Sequence, residues 1–186
     1  MKFGKELQQV IEETQPELRD KFLRYKELKK MLKYPDDAPG SEGAAKLTDT
    51  PFVVALHKEL AKFNEFFIDK EEELVMREQQ LAGQAEDAEQ SGGAAALRSL
   101  TVALARFHGD LVLLENWCFL NYAALVKILK KHDKLCNESL RSPMLAKVLQ
   151  QPFYSTEVLR GLVHRAESRF RAASERLRGG GECGVG

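Results

Sequence analysis

The chain has 186 residues, of which 44% are hydrophobic and 30% charged, with 28 basic side chains balanced by 28 acidic ones. That is enough apolar material to bury one core and too little length for two ordinary domains, so disorder throughout is excluded and a single domain over residues 1–177 is expected. Zero net charge argues against coating nucleic acid or membrane through bulk charge.

The charge is nevertheless uneven. Residues 1–34 hold nine Lys/Arg against six Asp/Glu, residues 127–147 hold six against two, and residues 58–90 hold four against ten. An anion site is therefore expected from the first two segments. Cys118, Cys136 and Cys183 form no CxxC pair, and an odd number without a secretory leader points to a reducing compartment, nucleus or cytoplasm. The opening MKFGKELQQV lacks the apolar run of a signal peptide, and Leu111 to Val126 is interrupted by Glu115, Asn116 and Asn121, so no membrane span is expected. His57, His108, His132 and His164 are dispersed, with no metal-ligand spacing, and no P-loop, dinucleotide or nucleophile-elbow motif occurs. Neither a cofactor, a metal site nor an enzymatic activity is expected.

Apolar residues recur at helical spacing and strand-like alternation is absent, which predicts an all-α fold. The first clear element is a helix over Pro16 to Leu32, with Phe22, Leu23, Leu28 and Leu32 facing inward. Tyr25 and Lys29, four residues apart, share one of its faces, with Lys26, Lys30 and Lys33 close by. Residues 35–49 are rich in turn formers and read as a surface linker. Thr50-Pro51 then starts a helix, the hydroxyl capping a free amide and the proline needing no amide partner. Val53, Leu56, Leu60, Phe63, Phe67 and Leu74 form its apolar stripe.

A second linker is expected over residues 82–95, rich in Ala, Gly and Glu. Beyond it, Leu97, Leu100, Leu104, Phe107, Leu111, Leu114, Cys118, Leu125 and Ile128 make a matching stripe, interrupted near Asn121. Two long facing helices at the centre of an elongated helical bundle follow from these stripes. The aromatic residues Phe63, Phe66, Phe67, Phe107, Trp117 and Phe119 are assigned to core packing. At the end of the second long helix, Lys127, Lys130, Lys131 and Lys134 stand at relative positions 0, 3, 4 and 7 and share one face. Neighbouring ammonium groups there repel by a few tenths of a kcal/mol per pair, an arrangement that makes sense where a polyanion will neutralise it. Ser142-Pro143 opens a short helix ending near Gln151-Pro152, Ser155 to Leu177 supplies the last one, and residues 178–186 form a glycine-rich tail.

Three segments together resemble a known family: the opening Met1-Lys-Phe-Gly-Lys5, the run Tyr25-Lys-Glu-Leu-Lys-Lys30, and Leu120-Asn-Tyr followed by Lys127-Ile-Leu-Lys-Lys-His-Asp-Lys134. They look like the three sequence blocks of SPX domains, in the same order and at similar separations, over roughly residues 1 to 150. The resemblance implies an N-terminal helical hairpin packed on two long core helices, with shorter helices following. It also implies binding of inositol hexakisphosphate or an inositol pyrophosphate at a basic surface where the hairpin meets the end of a long helix. Carried onto this chain, the matching residues are Lys2, Tyr25, Lys29 and Lys131, surrounded by Lys127, Lys130 and Lys134, with Lys5, Lys26 and Lys30 as secondary candidates. No transporter, polymerase or RING-type segment follows the last helix, which resembles the stand-alone SPX proteins of plants. That likeness implies a phosphate-status sensor with a ligand-dependent MYB-type phosphate-starvation transcription factor as partner.

Two other readings compete with the sensor. A helical scaffold could dimerise through its partly heptad stripes, and helices separated by linkers allow a homodimer by helix exchange. The basic helix could instead lie along a nucleic-acid backbone, although it lacks interleaved aromatics and arginines for base contacts.

Overall fold

In the computed structural model, residues 3–33, 50–91, 93–137 and 139–179 are described. Every regular element among them is an α-helix: α1 Phe3–Glu13, α2 Pro16–Arg19, α3 Tyr25–Lys33, α4 Pro51–Ser91, α5 Ala94–Cys136, α6 Arg141–Val148 and α7 Glu157–Gly179. The expected all-α class and the two long core helices are both present. The chain divides into two compact units, one formed by the described residues up to Ile68 with Trp117–Ser155, the other by Asp69–Asn116 with the described residues from Thr156 onward.

In the first unit, α1, α2, α3 and α6 accompany the first part of α4 and the last part of α5. Its core is aromatic. The Trp117 ring meets Phe63 edge-on at 5.6 Å and Phe66 at 4.8 Å, and Phe63 meets Phe153 at 5.3 Å. Val53, Leu56, Leu125, Ile128 and Val148 are buried in the same unit. In the second unit the rest of α4, the first part of α5 and α7 pack through Leu74, Leu81, Leu104, Phe107, Leu111, Leu159 and Leu162, all buried. Glu78, 8% exposed, is clasped by Arg165 at 3.2 Å and by Arg169, so a carboxylate facing the interior keeps charged partners.

Thr50 caps α4 as expected, its Oγ1 accepting from the Val53 amide at 3.3 Å. Both apolar stripes are buried along their full expected length. Several boundaries differ from expectation. Residues 82–91 continue α4 as a helix, because Ala, Gln and Glu are strong helix formers and Leu81 and Ala88 are buried. The expected linker over 82–95 thus shrinks to the residues around Gly93, while the one over 35–49 lies outside the described residues. The expected helix Pro16 to Leu32 is broken into α2 and α3 by a turn over residues 20–24. Asn121 interrupts the stripe of α5 but not the helix. The short helix α6 begins at Arg141 and is capped from outside, since the Asp133 carboxylate accepts from the Leu140 amide at 3.0 Å and the Arg141 amide at 3.2 Å. Phe119, assigned to the core, is 65% exposed. An 18-residue window of α5 is long and apolar enough to cross a bilayer by composition, with mean hydropathy 1.3, and 44% of it is buried, as in a core helix.

Candidate functional site

The site is built where α1, α3 and α5 of the first unit converge. The turn before α3 is fixed by two buried polar side chains. Asn121 on α5, fully buried, accepts the Leu23 amide on Oδ1 at 2.8 Å while its own Nδ2 donates to the Trp117 carbonyl at 2.9 Å. Glu59 on α4, 2% exposed, accepts the Arg24 amide at 3.0 Å and the Arg24 Nε at 2.8 Å. Lys62 completes this clasp, donating to Glu59 at 2.7 Å and to the Phe22 carbonyl at 2.8 Å. Burial pushes the Glu59 carboxyl upward, but the bonds from Lys62 and Arg24 outweigh it and hold the group below the usual carboxylate range. These contacts explain the break in the expected helix, since the amides of Leu23 and Arg24 are taken by side chains instead of helix carbonyls.

The turn delivers Tyr25 to the first position of α3, half-buried, against the start of α1. The Phe3 ring meets the Tyr25 ring edge-on at 5.3 Å, and a Cβ added to Gly4 would lie 3.0 Å from Tyr25 Cε1, so glycine permits this close approach. Burial raises the Tyr25 phenol above its ordinary value, which keeps it a neutral O–H able to donate. Lys127 Nζ of α5 lies over the Phe3 ring, 6.0 Å from its centroid. Phe3 therefore joins Tyr25 and Lys127.

One helical turn onward from each, Lys29 follows Tyr25 and Lys131 follows Lys127, and both are half-buried. Lys130 and Lys134 are exposed on the same strip of α5, whose opposite side buries Ile128, Leu129 and His132. The His132 ring stacks on Phe52 at 5.0 Å, which keeps this histidine in the packing and turns the lysines outward. Asn137, at φ 54°, ends α5 just past Lys134 in the left-handed conformation that asparagine tolerates. Lys26 and Lys30 are exposed on α3, each about 100° around the helix from the Tyr25 or Lys29 before it, and Lys5 is exposed on the first turn of α1. Lys2 lies outside the described residues.

Among the described residues no ion pair joins Lys29, Lys127, Lys130 or Lys131 to a carboxylate. Glu27 faces Arg24 at 3.6 Å, and Asp133 serves the amides of α6. Among the described residues Lys29, Lys127, Lys130 and Lys131 thus form a positive surface with no ion-paired carboxylate. Sequence reasoning missed the positioning groups Phe3, Gly4, Arg24, Glu59, Lys62 and Asn121. The only signal was polar residues on apolar stripes: Glu59 falls three residues after Leu56 and four before Phe63, and Asn121 interrupts the stripe of α5.

The model of the SPX domain matches residues 88–148, which contain the third of the three blocks. SPX domain-containing protein 1 of Arabidopsis thaliana is 42% identical over 179 residues, covering 90% of this chain and 69% of that protein. SPX domain-containing protein 3 of Oryza sativa subsp. indica is 40% identical over 178 residues, covering 92% of this chain and 64% of that protein. The chain thus spans about two thirds of the length of these curated relatives. Among solved structures, the SPX domain of Chaetomium thermophilum glycerophosphodiester phosphodiesterase 1, in complex with inositol hexakisphosphate, superposes with a TM-score of 0.74 at 24% identity, covering 95% of this chain and 99% of that one. With this fold, these three blocks and this degree of identity over most of its length, the chain belongs to the SPX domain family.

Proposed function

We propose that the chain is a regulatory binding module, not an enzyme, that senses phosphate status by holding an inositol polyphosphate or pyrophosphate on the surface of Tyr25, Lys29, Lys127, Lys130, Lys131 and Lys134. The observation that carries this reading is the convergence of Tyr25 and Lys127 on Phe3, which draws two lysine-bearing helices together, with no ion pair from Lys29, Lys127, Lys130 or Lys131 to a carboxylate among the described residues. A compact polyanion meets three needs of such a surface: it neutralises the ammonium groups, accepts from donors in several directions, and can take a hydrogen bond from the Tyr25 hydroxyl. Lys2 joins the site by family resemblance. The ligand in the Chaetomium thermophilum structure supports the same reading.

Regulation follows if the bound ligand presents its outward phosphates to basic groups of a partner, for which we propose a MYB-type phosphate-starvation transcription factor met in the nucleus or cytoplasm. The ligand then screens repulsion between two positive surfaces and bonds to both. The test is capture of such a factor by the purified chain with and without an inositol pyrophosphate, with orthophosphate as control. Capture that requires the inositol ligand is expected. Equal capture in its absence would leave a scaffold in place of a sensor.

A further inference from the structure

Remote in sequence from these lysines, the second unit carries a groove between α5 and α7. Its volume is about 570 Å³ and its floor is apolar: Leu104 and Ala105 from α5, Ala166 and Phe170 from α7. Phe170 falls at helical spacing on the side of α7 that buries Leu159, Leu162 and Ala166, yet it is 41% exposed and lines this groove.

The charge around the floor is polarised. At one end His108 and Glu167 face each other at 3.2 Å across the two helices. Beyond that pair the lining carries Arg171, about one turn from Glu167, and ends in Arg178, both exposed and neither ion-paired to a described carboxylate. Their neighbours on α7 are committed, Arg169 to Glu78 and Arg176 to Glu89 at 3.4 Å. The helices run antiparallel here, because α7 advances from Glu167 to Arg178 while α5 goes back from His108 to Leu104 and beyond. Arg178 therefore comes level with the first turns of α5, where Arg98 is exposed and likewise without a described carboxylate. From Glu167 to Arg178 the groove is about 16 Å long at about 1.5 Å per residue, close to three helical turns.

An apolar trough between two helices accepts a third helix through residues spaced at i, i+3, i+4 and i+7. Arg178 and the neighbouring Arg98 at the far end, with Arg171 along the way, select carboxylates beyond the Glu167 end, and the guanidinium fork favours them over other acceptors. We propose that this groove is a second binding site, independent of the lysine surface, for an amphipathic helix of about three turns that carries apolar residues on one face and Asp or Glu at one end. Such a helix is the occupant complementary to both the floor and the charge.

The test uses the full chain and synthetic labelled probes read by fluorescence anisotropy. One probe is a 14-residue Leu/Glu amphipathic helix with its acidic residues clustered at one end, the second replaces Glu by Lys, and the third scrambles the order at constant composition. The acidic amphipathic probe should bind at least about tenfold more tightly than the other two. Phe170→Ser should weaken it, as should Arg171→Glu with Arg178→Glu, by roughly tenfold, while Lys127→Ala with Lys131→Ala leaves it unchanged. Both groove variants alter exposed side chains, and circular dichroism melts verify that they remain folded. Equal binding of all probes, or loss through the lysine variants but not the groove variants, would overturn the site. Concentration-dependent dimerisation abolished by Phe170→Ser would replace the proposed occupant by a second copy of the chain and overturn it equally.

Discussion

Gly4 and Tyr25 show how finely the proposed site depends on single residues. A methyl group on Gly4 would press on the Tyr25 ring at 3.0 and 3.1 Å, tighter than ordinary contact, and the ring is the part able to give. Gly4→Ala is therefore expected to move the Tyr25 hydroxyl by a few tenths of an ångström, weakening inositol hexakisphosphate binding while costing less than about 1 kcal/mol of stability. Calorimetry beside a denaturant titration separates the two effects. Lys29→Ala and Lys131→Ala should each cost about 1.5 to 3 kcal/mol in binding, with Lys134→Ala costing less because that side chain is exposed, and Tyr25→Phe also costing less. The lysine face of α5 was legible in the sequence because helical spacing alone places Lys127, Lys130, Lys131 and Lys134 together. The contact of Phe3 with Tyr25 and Lys127 was not, since it brings Lys127 of α5 to residues of α1 and α3 more than a hundred positions away.

At the scale of elements, the two long helices were readable because their stripes keep a steady alternation of three and four residues. The break between α2 and α3 was hidden. No turn former stands at Arg24, and the helix stops only because Asn121 and Glu59 reach its amides from other elements. Asn121→Ala should leave the buried Leu23 amide unpaired and cost about 1 to 3 kcal/mol, measured by urea unfolding, with ligand binding weakened in parallel through the displaced start of α3. Over residues 82–91 the reverse holds: small and polar residues resemble a linker, but the Ala, Gln and Glu among them favour a helix and outweigh Gly83 once Leu81 and Ala88 have a neighbour to bury against.

For the molecule as a whole, acid should act through buried carboxylates. Glu59 and Glu78 both titrate below the ordinary value of 4.5, because the bonds and charges of Lys62 with Arg24, and of Arg169 with Arg165, outweigh the burial that raises them. In the interval below 4.5 the unfolded chain binds more protons than the folded one, so stability increases with pH there. Their contribution is complete above the unfolded value and is lost as pH falls through the folded ones. Thermal melts from pH 7 down to about pH 3 should show this loss, and Glu59→Gln should lower the melt at pH 7 while flattening the decline.

In the proposed site, Lys29 of α3 and Lys131 of α5 hold one inositol phosphate between them. The most direct measurement is a calorimetric titration of the chain and its Lys29→Ala/Lys131→Ala double variant with inositol hexakisphosphate at one fixed ionic strength, with orthophosphate and a short DNA duplex as controls. Selective binding of the inositol ligand by the chain is expected, with loss of that binding in a double variant that melts like the parent. Undiminished binding by the folded double variant, or no selectivity over DNA in the parent, would contradict the proposed site.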